Sequence, residues 1–294
     1  MAPSRESHHS PARSRSDDRV FLLTRLTATV VIIILCFGVV SLLVFPTRTD
    51  GLWSWEIRAQ MTSMLLGSGY AAGAYFFLRV LFARRWHTVQ IGFLPIAGFT
   101  VLMETATILH WDVFFHGRFA FQFWLVIYST MPFVVPLVWY LNQRTATAEL
   151  DERDALIPRT ARAIIASWGG GMILMSAFLF LLPGQAARIW PWPLTPLTSR
   201  VLGAWFFWGM FALLLARDGR WSSGRAVTQA TIIGTVLALI GVVRAWDEFD
   251  TGRPFTYVFL TFLGLALVFF IVLHVVMDRL AQEAPAPPAT APAR

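Results

Sequence analysis

The chain has 294 residues, 56% of them hydrophobic and only 14% charged, a balance that excludes a soluble globular protein. Its formal net charge of +7 comes from Arg without any Lys, and those Arg residues are scattered among loops, so the charge does not indicate a nucleic-acid partner. The single cysteine, Cys36, lies in an apolar run; it excludes an intramolecular disulfide and a cysteine metal site and is expected to be an inert buried thiol.

Residues 1–20 are rich in Ser, Pro, His and Arg, too polar to build a core, and are expected to be a disordered cytoplasmic segment in which the adjacent His8 and His9 carry no metal. The apolar run Phe21–Phe45 is too long for a signal-peptide core and lacks a small-residue cleavage site, so it is expected to remain as the first membrane span. A bilayer requires about 20 apolar residues of helix. That ruler predicts further spans at Met61–Phe82, Val89–His110, Phe119–Leu141, Ala163–Leu182, Leu197–Ala216, Val227–Val243 and Phe255–Met277. Residues 142–162 form the only long hydrophilic stretch between spans, and the Ala/Pro-rich residues 278–294 are expected to be a disordered cytoplasmic tail.

Eight spans place both ends on one side. Arg5, Arg13, Arg15, Arg19, Arg25, Arg79, Arg84, Arg85, Arg217, Arg220 and Arg225 fall on that side, which the positive-inside rule assigns to the cytoplasm of a cell-membrane protein. The opposite connections hold Trp53, Trp55, Trp111, Trp190, Trp192 and Trp246, expected as an interfacial aromatic belt.

The chain also repeats itself. Trp111-Asp112-Val113-Phe114-Phe115-His116-Gly117-Arg118 returns as Trp246-Asp247-Glu248-Phe249-Asp250-Thr251-Gly252-Arg253, both reading W-D-x-F-x-x-G-R. Pro46 answers Pro183, Trp53-Ser54-Trp55 answers Trp190-Pro191-Trp192, Thr62-Ser63 and Gly67 answer Thr198-Ser199 and Gly203, and Trp86 answers Trp221, at offsets of about 135 to 137 residues. The expected fold is therefore an all-α polytopic membrane protein, with two tandem four-helix repeats at 21–141 and 163–277 joined by a cytoplasmic linker at 142–162. A pseudo-two-fold axis would run along the membrane normal.

In the repeated motif Trp and Phe dock the loop, Asp caps or accepts hydrogen bonds, Arg reaches the carboxylate or a lipid phosphate, and Gly permits a turn with positive φ. What the halves do not share is more telling. Glu104 stands where the second copy has Leu239, Arg200 where the first has Met64, and Arg244 where the first has Leu109. Charges inside spans are costly and face a bundle interior or a cavity. Glu104, His110, Arg200 and Arg244 are the expected binding residues of an outward-facing polar pocket, rimmed by Trp111, Asp112, Arg118, Trp246, Asp247 and Arg253.

Gly69 and Gly73 form a G-x-x-x-G step for close helix contact; Gly169-Gly170-Gly171 either pack a helix closely or break the fifth span beside a cavity; Pro132 and Pro136 should kink the fourth. No nucleotide-binding or hydrolase motif is present, no His/Asp/Glu cluster has ligand spacing, and no catalytic residue, metal or cofactor is expected. The stretch Trp190-Pro191-Trp192-Pro193-Leu194-Thr195-Pro196-Leu197-Thr198-Ser199-Arg200 resembles a segment of uncharacterised bacterial multi-pass membrane proteins, a resemblance that implies no activity.

These features lead to binding, or passive or secondary transport, of a small anionic or amphipathic molecule, a lipid included, with the bilayer as surrounding partner. Arg200 and Arg244 would hold the anion and Glu104 would supply a counter-charge or proton carrier. A non-catalytic membrane scaffold or accessory subunit is the alternative. An intramembrane transferase on a lipid-linked substrate, using Asp112, His110 or Asp247, is a third reading with less support.

Overall fold

The computed structural model describes residues 18–146 and 154–283; the predicted N-terminal segment up to residue 17, the middle of the linker and the tail from residue 284 lie outside the described residues. The described residues are helical without named strands, and eight helical stretches are long and apolar enough to cross a membrane: Leu22–Val44, Gln60–Phe82, Gln90–Leu109, Phe119–Gln143, Arg159–Leu181, Pro196–Asp218, Trp221–Arg244 and Pro254–Glu283. In hydrocarbon each backbone N–H and C=O must be satisfied within the segment, which is why apolar runs of this length become helices.

In chain order the α-helices are α1 (Leu22–Val39), α2 (Thr49–Leu52), α3 (Gln60–Phe82), α4 (Phe93–Leu109), α5 (Phe119–Gln143), α6 (Arg159–Leu181), α7 (Pro183–Ile189), α8 (Pro196–Phe206), α9 (Gly209–Asp218), α10 (Trp221–Arg244) and α11 (Pro254–Glu283). The first span ends in a π-helical turn, Val40–Val44. The sixth is broken into α8 and α9 by a turn at Phe207 and Trp208.

Several boundaries differ from the expected ones because a helix runs on until its end groups find caps. The linker is shorter than 142–162. Asn142 belongs to α5 and is buried, donating to Thr24 Oγ1 at 2.5 Å and accepting from the Phe21 N–H at 3.1 Å, so it ties α1 to α5. Helix α11 continues through residues 278–283, which were expected in the tail. Helix α10 starts six residues early, at Trp221, where Asp154 Oδ1 accepts the Ser222 N–H at 3.1 Å. The glycine triplet does not break α6, which is continuous; Gly169 lies against the Gly209 carbonyl, whereas Gly170 and Gly171 face open space. Helix α5 likewise continues through Pro132 and Pro136. Cys36 is exposed on α1, facing where lipid would be, and not buried.

The same bonds occur at corresponding places of the two halves. Ser63 Oγ donates to the Leu42 carbonyl at 3.3 Å and Ser199 Oγ to the Leu179 carbonyl at 2.8 Å. The Trp86 indole donates to Gln143 Oε1 at 3.1 Å and the Trp221 indole to Asp278 Oδ1 at 2.7 Å. Isolated antiparallel bridges join Arg19 to Arg85 and Leu156 to Arg220. Between the halves, α3 packs on α10 and α4 packs on α8. The face holding Trp86, Trp221 and both described chain ends is called here the terminal face, and the opposite one the loop face.

Candidate functional site

On the loop face both W-D-x-F-x-x-G-R stretches begin as 3-10 turns, Trp111–Val113 and Trp246–Glu248, and are anchored by the buried Phe114 and Phe249. Each loop then makes one backbone bond to the Trp-rich segment of its own half: the Phe115 N–H donates to the Ser54 carbonyl at 3.0 Å, and the Asp250 N–H to the Pro191 carbonyl at 2.7 Å. Trp111 and Trp246 are half-exposed and suit an interface, but Trp53, Trp55, Trp190 and Trp192 do not belong to an aromatic belt. They are buried, Trp190 and Trp192 completely, because the segments that carry them fold back into the ends of the helical halves and pack edge-to-face against Trp124, Phe249 and Phe259.

The motif's polar residues act differently from the expectation. Neither Gly117 nor Gly252 has a positive φ; among the described residues only Gly219 does. Asp112 and Asp247 are exposed. Arg118 lies over the Phe115 ring at 3.9 Å, while Arg253 pairs with Asp250 at 2.8 Å and donates to the Trp190 carbonyl at 2.5 Å. Glu248 performs the capping: its two carboxylate oxygens accept the N–H groups of Gln60 at 2.7 Å and Met61 at 2.8 Å, closing the start of α3 from the other half. At the matching start of α8, Thr195 forms a capping box with Thr198 and Pro196 has no N–H to satisfy.

Of the four residues expected in one polar pocket, the structure joins two. Arg200 Nη1 is 2.6 Å from His110 Nε2. Burial, and then the adjacent guanidinium, lower the His110 pKa from its ordinary value of 6.5, so the ring is a neutral acceptor at pH 7. Glu104 turns to α5, where Ser129 Oγ donates to it at 3.2 Å, and its second oxygen is buried without a partner among the described residues. Arg244 is exposed and donates to the Leu43 carbonyl at 2.8 Å. No hydrogen bond or ion pair connects Glu104 or Arg244 to the His110–Arg200 pair among the described residues, and none of the four lines an interior cavity described below. The reason is rotational: at 100° per residue, positions near one depth on neighbouring helices need not face one another.

A depressed histidine pKa gives a signed prediction. The unfolded chain takes up the proton near pH 6.5 while the folded ring resists until lower pH, so its contribution is present above 6.5 and is lost as pH falls below it. Thermal midpoints of the detergent-solubilised protein should therefore fall more steeply between pH 7.5 and 5.5 in wild type than in His110→Gln. Parallel curves would show that His110 does not carry this linkage.

Among the described residues two apolar cavities share residues of α3 and of the broken sixth span. The first, of about 80 Å³, lies between α1 and α5, with Leu35 and Met131 on its walls and the hydrogen-bonded hydroxyls of Tyr70 and Tyr128, 3.1 Å apart. The second, of about 180 Å³, lies between α6 and α11, with Trp168 stacked on Phe262 at 3.7 Å. Gly69, Trp205 and Trp208 line both, so the turn that breaks the sixth span forms their common wall. In the second cavity Thr228 presents a buried hydroxyl without a partner among the described residues, while Thr231 and Thr235 bond back to their own helix.

Towards the terminal face the helices enclose a polar chain. Tyr75 Oη donates to Gln229 Oε1 at 2.6 Å, Arg79 donates to the same oxygen at 2.5 Å, Gln229 Nε2 is 3.5 Å from His274 Nε2, and Asp278 receives the Trp221 indole and Arg225. Gln229, His274 and Asp278 lie in strongly apolar runs and carry no expectation from the sequence. Their signal is the same asymmetry that singled out Glu104: the first half has Leu94, Trp139 and Gln143 at those positions.

Together the eight apolar helices, the absence of named strands among the described residues and the lipid-facing surface define an all-helical, multi-pass membrane protein. No protein-family model matches the chain, and neither a curated protein nor a solved structure matches it.

Proposed function

We propose that this protein binds the apolar portion of an amphipathic, lipid-like molecule inside the membrane, in the cavity between α6 and α11 and its counterpart between α1 and α5. The observation that carries this reading is the second cavity. Its walls are aromatic and aliphatic, with Thr228 as an unpartnered hydroxyl. An apolar cavity of about 150 Å³ stays dry and takes up an apolar ligand, and this one is about 180 Å³. Relative to the small anion expected at Glu104, Arg200 and Arg244, the amphipathic substrate is favoured, because those charges reach Ser129, His110 and the Leu43 carbonyl.

The reading includes a tandem duplication with a pseudo-two-fold axis along the membrane normal. It is supported by the paired Ser-to-carbonyl, Trp-to-side-chain and bridge contacts and by the reciprocal α3–α10 and α4–α8 packing. The terminal face is assigned to the cytoplasm on the strength of its Arg content. The scaffold alternative has one observation in its favour: Glu248, Arg244 and Arg253 are occupied with backbone groups, a structural use of charge.

The test is photolabelling of the full chain in lipid nanodiscs with a phospholipid carrying a diazirine on its acyl chain. Binding predicts crosslinks at the inward residues Trp168, Phe262 and Phe270, competed by excess unlabelled lipid. Crosslinks confined to outward residues such as Leu174 and Val258, which are 74% and 57% exposed, would leave only ordinary bilayer contact and support the scaffold.

A further inference from the structure

Three hydrogen-bond donors on the walls of the larger apolar cavity have no acceptor among the described residues: the Thr228 hydroxyl and the indole N–H groups of Trp205 and Trp208. Thr228 is wholly buried and Trp205 is 9% exposed. Thr231 and Thr235, on the same helix, return their hydroxyls to the Val227 and Thr231 carbonyls, so helix geometry does not by itself leave the Thr228 hydroxyl free. Trp208 stands twelve residues from Pro196 and ten from Asp218, and Thr228 seven residues from Trp221. At 1.5 Å per residue these donors lie about 10 Å or more inside their spans, where hydrocarbon offers them no partner.

Unpaired donors call for a ligand with acceptors, and the surroundings restrict its class. No charged residue lines the cavity among the described residues, so an ionised acceptor would lose its hydration without gaining a counter-charge. The ester carbonyls of a phospholipid lie beside its headgroup, at the edge of a hydrocarbon core about 30 Å thick, and do not reach this depth. The donors come from two walls, Thr228 from α10 and the indoles from the break in the sixth span, which suits acceptors on two edges of one molecule. Electron-rich rings, Trp168 stacked on Phe262 among them, suit a planar electron-poor ring. We infer that the cavity between α6 and α11 takes the ring of a lipid-soluble quinone, whose carbonyl oxygens accept from Thr228 and from the indoles of Trp205 and Trp208. The inference rests on the reading of this cavity as an apolar-ligand site and adds the chemical class of the ligand.

The experiment uses the full chain in phosphatidylcholine nanodiscs and follows the thermal midpoint against the mole fraction of a decyl-substituted benzoquinone, and separately of decylbenzene, which has the ring and chain without the carbonyls. A ligand that binds only the folded state raises the midpoint with saturation. The quinone should saturate at a lower mole fraction than decylbenzene. Thr228→Val removes the hydroxyl at nearly constant shape; it should weaken the quinone about fivefold and leave decylbenzene unchanged. The Thr228 hydroxyl bonds to no other described residue, so its loss breaks no hydrogen bond and keeps the fold. Ser223→Ala removes another buried, unpartnered hydroxyl of α10, outside the cavity, and should bind the quinone as wild type. Decylbenzene saturating as tightly as the quinone, or Thr228→Val binding the quinone as wild type, overturns the inference and leaves the apolar reading standing. Ser223→Ala weakening as much as Thr228→Val also overturns it, since the effect then does not belong to the cavity. Saturation by neither probe overturns both readings.

Discussion

Replacing Gly209 with valine should destabilise the protein by about 3 kcal/mol or more, read as a shift in its unfolding curve in mixed detergent micelles. The break at Phe207 and Trp208 sets the first residue of α9 directly on α6, where a Cβ at position 209 would stand 2.5 Å from the Gly169 carbonyl, 2.6 Å from Met172 Cβ and 3.2 Å from the Ile173 nitrogen. Two of those atoms belong to the hydrogen-bonded backbone of a helix and cannot swing aside as a side-chain tip would. Lipid tails are as apolar as the helices, so association depends on close packing and loses heavily when backbones are forced apart. Gly171→Val is the control: its Cβ meets nothing within 4 Å, so its effect should stay within about 0.5 kcal/mol. Equal curves for the two variants would refute the close α6–α9 approach.

Trp205→Ala has the second largest expected effect, a loss of about 3 to 5 kcal/mol. The indole packs against Phe99 at 4.7 Å, Tyr70 at 5.1 Å and Trp208 at 5.2 Å, and it separates the two apolar cavities. Truncation therefore does more than remove contacts, because it joins two spaces into one that the surrounding rings cannot collapse to fill. A small apolar ligand should return part of the loss: benzene should raise the midpoint of Trp205→Ala more than that of wild type. Equal responses would mean that the wall relaxes into the gap and that the cavities stay separate.

These two sites show where pattern reading ends. Gly209 and Trp205 have no distinctive place in the sequence; the triplet Gly169-Gly170-Gly171 attracts the eye as a helix break, yet α6 runs through it and the break falls at Phe207 and Trp208. A glycine lowers helix preference only weakly, and the packing of two ends decides where a helix turns. The Trp pairs misled in the same way. Trp is amphipathic and suits both an interface and a core, and composition cannot tell that the short segments carrying Trp53, Trp55, Trp190 and Trp192 tuck inward.

The candidate site was half legible. Its asymmetric residues stand out from the comparison of the two halves, and His110 does meet Arg200, but Glu104 reaches Ser129 and Arg244 reaches the Leu43 carbonyl. Gln229, His274 and Asp278 pass unnoticed in strongly apolar surroundings, although the tertiary structure gathers them behind Arg79 and Arg225.

Hydrophobic length decided the number of spans, because a backbone in hydrocarbon must close its own hydrogen bonds and an apolar run of sufficient length has one way to do so. The recurrence of W-D-x-F-x-x-G-R likewise marked two connections that fold alike, since equal local sequences meet equal local constraints. Rotation of each helix about its axis, the break in the sixth span and the cavities on either side of Trp205 were decided only by packing. Each depends on which side chains interlock across helices distant in sequence, and no periodicity within one helix encodes that match.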